Sequence, residues 1–303
     1  MDVGQPTLDQ LRIFLAIVEE GSFNGAARRT KRAISVISYG VAQLEAQLGV
    51  SLFEREGSRK PDLTLAGKAL LADARNIADG VDELVARVRG LHQGLEAELS
   101  LAVDVMLPAS ALAHVLREFQ RCFPTVDLRL HVEALGAVAA LLLNGQANLA
   151  IGGPEITDLP ELELVAVGAV EMVPVAAPSH PLAQMKEIPP GAGRRHLQLV
   201  LTDRSTLTQG QDYSVLAARS WRLGDLAAKH ALLLEGIGWG NMPRHAVAED
   251  IAAGRLVELT LPESPGLRYG LNALWRKDNP PGPACVWMRE AIAAVLAEPS
   301  DQA

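Results

Sequence analysis

SFNGAARRTKRAISVISYGVAQLEAQL, residues 22–48, reads as two short helices joined by a tight turn. In its second half Ile34, Ile37, Val41, Leu44 and Leu48 recur at spacings of three and four. At 3.6 residues per turn these positions form one apolar stripe, and Ser35 and Tyr39 point the opposite way. The first helix turns Phe23, Ala26 and Ala27 inward, the two alanines being small enough to let helices cross closely, and Arg28, Arg29, Lys31 and Arg32 follow. From Gly21 to Leu44 there are four positive residues and no acid. That is the electrostatic footprint of a helix pair laid on phosphates, with the second helix entering a major groove. An ordinary helical hairpin with a solvated basic face is the plainer alternative for this stretch alone.

The flanks favour the first alternative. Thr7-Leu8-Asp9-Gln10 has the form of a capping box, and Leu8, Leu11, Phe14, Leu15 and Val18 then mark a third amphipathic helix that Gly21 can end. After the pair, residues 51–55 and 61–65 bracket Glu56-Gly57-Ser58-Arg59-Lys60, the pattern of a short hairpin or wing. The DNA-facing set is therefore Ser35, Val36, Ser38 and Tyr39 on the second helix, with Arg28, Arg29, Lys31 and Arg32 beside it. Arg55, Arg59 and Lys60 of the wing lie within reach of the backbone or the minor groove.

Residues 8–67, through LDQLRIFLAIVEEGSF, AARR, LEAQLGVSLFER and LTLAG, resemble the winged helix-turn-helix of the LysR-type transcriptional regulators, and the similarity continues along the whole chain. Family members carry a pattern close to S-Q-x-A-V-S-R-Q-I at the start of the recognition helix; the matching run here is Ala33 to Val41. Ala33 replaces the usual capping Ser, at a cost of about 1 kcal/mol. Ile34 and Tyr39 replace polar or basic residues, and Gly40 puts a residue of low helix propensity inside the helix. The resemblance implies a transcriptional regulator that binds double-stranded DNA, a homodimer through a linker helix, and pairing of dimers into a homotetramer through the C-terminal domains. It also implies a two-lobed, periplasmic-binding-like α/β domain holding a small organic effector that modulates DNA binding.

Composition agrees with that division. The chain of 303 residues is too long for one ordinary core. Its formal charge is -8, yet residues 1–65 hold eight Lys and Arg against eight Asp and Glu, so the acidic excess lies in the body, which suits a part that stays off DNA. No secretory leader pattern and no run of about eighteen apolar residues occurs, which points to a cytoplasmic protein without a membrane partner. Cys122 and Cys285 are too few for a disulfide framework and read as two buried thiols, with a redox switch the lesser alternative. The histidines form no closely spaced pair, so neither a metal nor any other cofactor is expected.

The expected boundaries are a winged helix-turn-helix head at 1–65, a linker helix at 66–93 and an effector domain at 94–303. Lobe I takes 97–165 and 268–303, lobe II 166–267. Thr64 caps the linker helix, in which Leu70, Ile77, Leu84 and Leu91 stand seven apart with Ala74, Val81 and Val88 between them. This is the narrow seam of a two-stranded coiled coil; a helix packed on its own domain is the alternative. Beyond a hinge at Gly94, strands and helices alternate. Leu99 to Val103, Val126 to Val132, Leu149 to Ile151, Glu171 to Ala177 and Leu197 to Thr202 read as strands. Helices fall near 137–143, 225–234, 244–253 and 284–297, with a Gly-rich turn from Glu235 to Gly240. The alternation predicts a mostly parallel sheet covered on both faces.

Ligands of open α/β sheets sit outside the carboxyl ends of strands. That rule puts Asp104, Val105, Met106, Pro108 and Ser110 at the mouth of the first lobe. Thr202, Asp203, Arg204, Ser205 and Thr206 stand opposite; surface capping is an equal alternative for these residue types. Arg204 and a helix N-terminus near Ser110 favour a carboxylate, while Asp104 repels a plain dianion, so a small organic anion or zwitterion with an apolar part is expected. An enzyme, or a ligand-binding α/β domain fused to a helix-turn-helix used for protein contacts, is the rival class. No nucleophile elbow, zinc-protease helix, phosphate loop or dinucleotide fingerprint supports catalysis.

Overall fold

Three helices build the head in the computed structural model, which describes residues 5–54, 61–92, 94–154, 159–203, 205–208, 213–264 and 266–297. They are α1 (Leu8–Glu20), α2 (Phe23–Thr30) and α3 (Ile34–Leu48). The capping box is formed: the Gln10 N–H donates to Thr7 Oγ1 at 3.3 Å and the Thr7 N–H to Gln10 Oε1 at 2.8 Å. Gly21 ends α1 at φ 62°, and Ser22 starts α2 by accepting the Gly25 N–H at 3.0 Å. Ala33 makes no side-chain cap. Ile37, Val41 and Leu44 are buried against Leu11, Phe14 and Ile17. Ile34 departs from the expected stripe and is 49% exposed, because it opens α3 at the rim of that packing surface. A Cβ at Gly40 would lie 2.7 Å from Ile13 Cδ1, so the poor helix former is where α1 and α3 approach most closely.

The wing strands pair at Phe53 and Leu63, and the Glu54 N–H donates to the Asp62 carbonyl at 2.8 Å. Arg55, Arg59 and Lys60 lie outside the described residues. Glu45 of α3 fastens the wing: its Oε1 accepts the Leu52 N–H at 2.6 Å and the Phe53 N–H at 3.3 Å.

Helix α4 (Leu65–His92) starts under Thr64, whose Oγ1 accepts the Gly67 N–H at 3.0 Å. Its 28 residues span about 42 Å. The expected seam divides here. Ala74 and Ala78 are buried in the core of the head, so Ala74 leaves the seam, and the first half of the helix is packed on its own domain. Ile77, Leu84, Val88 and Leu91 stay exposed. The chain separates into two compact units, Met1–Arg89 and Gly90–Ala303.

The second unit is built on one sheet. Its long members are β4 (Leu162–Ala176) and β9 (Leu267–Arg276), paired antiparallel from Leu162 with Arg276 to Met172 with Leu267. On one side of the pair stand β3 (Leu149–Gly152), β1 (Glu98–Asp104) and β2 (Asp127–Glu133); on the other β7 (Trp239–Pro243), β5 (Gln198–Leu201) and β6 (Ser220–Leu223). Short β8 (Val257–Glu258) pairs with β4. The sheet is mixed rather than mostly parallel. Pairing is parallel within each flank and antiparallel wherever β4 or β9 enters, because those two segments carry the chain across and back. The expected cover also fails at the edge, where Leu128, Leu130 and Val132 of β2 are exposed.

Helices α5 (Ala109–Cys122), α6 (Gly136–Leu143), α7 (Leu226–Leu234), α8 (Arg244–Ala252) and α9 (Pro283–Ala297) complete the unit. Trp287 of α9 packs on Phe119 and Phe123, with ring centroids 6.0 and 5.6 Å apart. The strand expected at 171–177 is the second half of β4. Trp239 and Gly240, read as the end of a turn, open β7, which is buried at every position and so carries no alternation to betray it. Cys285 is buried as expected; Cys122 is exposed.

Glu45→Ala should lower the stability of the head by about 1–3 kcal/mol, because two backbone donors lose their acceptor. Thermal unfolding followed by circular dichroism checks this.

Candidate functional site

On the head, burial of Ile37, Val41 and Leu44 turns Ser35, Val36, Ser38 and Tyr39 to solvent. Tyr39 is 66% exposed, and its hydroxyl accepts from Gln43 Nε2 at 2.7 Å, which steadies the ring. The flanking cations fall into two classes. Arg29 is ion-paired with Glu19 and Glu20, and Arg32 with Asp9 at 2.7 Å. The hydrogen bond from Arg32 holds the Asp9 carboxyl below its ordinary range. Arg28 and Lys31 are exposed and, among the described residues, have no acidic partner. Lys31 sits at φ 57° as the C-cap of α2, with its backbone N–H directed to the Ala27 and Arg28 carbonyls. Two cations are thus free for phosphate, and two must first exchange a carboxylate, at little cost for exposed pairs.

In the second unit a cavity of about 330 Å³ opens between the two flanks of the sheet, at the small end of the range for ligand sites. Its floor is the Met172–Leu267 pair of β4 and β9 with Tyr269; Met106 and Leu135 wall one side, and Leu199, Leu201 and Lys229 the other. Asp104 stands behind the wall and organises it. Its Oδ1 accepts the Met106 N–H at 2.8 Å, and its Oδ2 accepts the Leu135 N–H at 3.3 Å and the Tyr269 hydroxyl at 3.0 Å. Leu135 is held at φ 51°, costly for a branched residue and sustained here by that carboxylate. Asp104 is 1% exposed, so its charge is used inside the fold rather than turned to a ligand.

The other mouth residues are distributed differently from the expectation. Met106 lines the cavity. Thr202 and Asp203 line a small adjoining recess, where Asp203 accepts from Ser205 Oγ at 2.6 Å and from Thr208 Oγ1. Val105 and Pro108 are absent from the cavity wall, Ser110 and Thr206 are exposed, and Arg204 lies outside the described residues. The cavity sits over the β4–β9 crossing, with Met106 just past the end of β1 and Leu201 at the end of β5 among its lining. Besides Met106 and Leu135, its walls come from β5, α7 and β7, and the start of α5 contributes none of them.

Lys229 is the group that sequence reasoning missed. It is 3% exposed, its Nζ donates to the Asn241 carbonyl at 2.6 Å, and burial lowers its pKa from 10.5 to about 8. Gly240 makes the room: a Cβ there would lie 3.1 Å from Lys229 Cε. The signal was present in the spacing, since Leu226, Lys229 and Leu233 are the inward positions of α7 and one of them is a lysine.

A DNA-reading head joined to a ligand-sized cavity in a two-flanked α/β sheet defines a ligand-responsive transcriptional regulator. The chain belongs to the LysR family: the family model "LysR substrate binding domain" matches residues 92–297, and "Bacterial regulatory helix-turn-helix protein, lysR family" matches residues 8–68. It is 30% identical to the HTH-type transcriptional regulator YeeY of Escherichia coli K12, over 98% of both chains. It is 29% identical to the HTH-type transcriptional activator AllS of Klebsiella pneumoniae, over 86% of this chain and 98% of that one. The fold is shared with the OxyR C206 mutant of Corynebacterium glutamicum, at a TM-score of 0.52, 20% identity and coverage of 97% and 95% of the two chains. It is shared also with full-length LysG of the same organism with bound effector Arg, at a TM-score of 0.50, 20% identity and coverage of 96% and 98%. The protein is thus a LysR-type transcriptional regulator, dimeric in its family's manner, whose effector domain modulates DNA binding.

Because the folded chain holds Lys229 at a lower pKa than the unfolded chain, the native state binds fewer protons between about pH 8 and 10.5, and stability rises with pH across that window. Below it the buried charge costs about 3 kcal/mol. Lys229→Met should therefore be more stable than the parent at pH 7, with the difference closing as pH climbs from about 8 to 10.5. Denaturant unfolding of both proteins across that range checks this.

Proposed function

We propose that α3 reads the operator with Ser35, Val36, Ser38 and Tyr39 in the major groove, while Arg28 and Lys31 hold phosphates. Arg29 and Arg32 join them once their carboxylates are displaced, and Arg55, Arg59 and Lys60 extend the contact along the wing. The observation that carries this reading is the acid-free outer face of α3, with Tyr39 two-thirds exposed and nothing on its own domain to cover it. The exposed Ile77, Leu84, Val88 and Leu91 form the seam on which a second α4 packs, presenting two heads to a site with two-fold symmetric half-sites. Dimers pair into tetramers through their effector domains. The effector, a small organic molecule with an apolar body, occupies the cavity over the β4–β9 floor and is bound without being transformed. The site of action is cytoplasmic, where the DNA is. By preferring one arrangement of the lobes, the effector shifts the spacing of the heads; a preference of 1.4 kcal/mol gives about a tenfold change.

Binding-site selection with the parent and Tyr39→Ala tests the reading face: the variant should select a different sequence, and an unchanged preference would place the wrong face in the groove. In salt titrations of DNA affinity, Lys31→Ala should weaken every sequence alike and lower the slope against log salt by about one.

Ile77→Asp combined with Leu84→Asp should leave the single chain folded, since both positions are exposed in it, but put two unpaired charges into the seam. Sedimentation should show the oligomer lost and DNA binding weakened; an unchanged oligomer would remove α4 from the interface.

A further inference from the structure

We infer that the Lys229 ammonium, on a cavity wall it shares with Asn241, is the receptor for a carboxylate on the effector; this rests on the reading above that the effector occupies the cavity. The argument begins with what surrounds the nitrogen. Among the described residues the Asn241 carbonyl is the one acceptor of Lys229 Nζ, at 2.6 Å, and no Asp or Glu is paired with it. An ammonium has three donors, so two remain for a group that enters the cavity. A buried cation without a counter-charge is a standing cost, and desolvation alone moves its proton affinity. Such a group lining a cleft is a candidate functional site.

The rest of the wall separates polar groups already in use from those that are free. Gln198 is committed: its Nε2 donates to the Ser214 carbonyl at 2.9 Å, and its Oε1 accepts the Leu216 and Ala217 N–H groups at 2.8 and 3.0 Å. Tyr269 is committed to Asp104. The side-chain amide of Asn241 and the hydroxyl of Ser214 have no partner among the described residues, and both residues line the cavity with Lys229. One cation and one amide donor match a single carboxylate, the two oxygens of which accept from both. Met106, Leu135, Met172, Leu201 and Leu267 face the remaining space, so the body attached to that carboxylate is apolar. A compact dianion would meet too few donors here and too much hydrocarbon.

All four tryptophans lie in the effector domain, Trp239 buried at the head of β7, so intrinsic fluorescence reports on this site without interference from the head. The full-length protein, Lys229→Met, Lys229→Gln and Met106→Trp are titrated at constant ionic strength with straight-chain carboxylates from acetate to octanoate and with the matching primary amides. Thermal unfolding verifies that each variant is folded. In the parent the longer carboxylates should bind at least tenfold more tightly than their amides. Both Lys229 variants should lose that difference while still binding the amides, and Met106→Trp should weaken both series by filling the cavity. Carboxylate affinity within twofold of the parent in Lys229→Met and Lys229→Gln would overturn the role of Lys229 and leave the cavity standing. Undiminished binding to Met106→Trp, or no binding of either series to the parent, would overturn the cavity reading itself.

Discussion

The antiparallel pairing of β4 with β9 is the constraint on which the effector domain depends. Among the described residues these two strands run through the middle of the sheet, and each flank is attached by one of them: β3 to β9, β7 to β4. Their last registered pair, Met172 with Leu267, is also cavity floor. Movement of one flank against the other must therefore be taken up along these strands, close to whatever occupies the cavity. A bulge between Ala166 and Gly168, where α9 lies against the sheet through Leu296, is the place where the pairing is already irregular. Binding and lobe geometry share a structural element, which is what a ligand needs in order to favour one arrangement over another.

Two buried charges serve the cavity in opposite ways. Asp104 is fully engaged by two backbone donors and a phenol, and it sets the positions of Met106, Leu135 and Tyr269, three of the residues that give the space its shape. Lys229 is under-engaged, with a single carbonyl for three hydrogens. A satisfied buried charge rigidifies its surroundings, whereas an unsatisfied one stores free energy that a counter-ion can release. Their separation onto different flanks gives the site one fixed wall and one waiting for charge.

The head shows a related economy. Its basic cluster is half neutralised by its own acids, Arg29 by Glu19 and Glu20 and Arg32 by Asp9. These exposed pairs add little to stability, and they are the kind of contact that phosphate replaces readily. Arg28 and Lys31, exposed beside them, carry no such carboxylate among the described residues.

Most of the local structure of the head was legible in the chain. The capping box at Thr7, the stop at Gly21, the inward stripe of α3 from Ile37 to Leu44 and the cap at Thr64 rest on interactions within a few residues, which leave a period or a cap in the chain. The long-range partners of those elements follow from packing. Ala74 belongs to the head because the helix turns it onto that core, and Trp239 to Pro243 form a central strand because both faces are covered, which erases the alternation a strand usually shows. The cavity was legible in its general place between lobes and in Met106, but not in the residues of its far wall. Lys229 and Asn241 are separated by a helix, a turn and a strand start, and nothing in one dimension indicates that Gly240 lets the lysine stem pass to the Asn241 carbonyl. Charge and hydropathy are properties of residues, whereas burial without a counter-charge is a property of the packed site, and packing is what the linear chain does not contain.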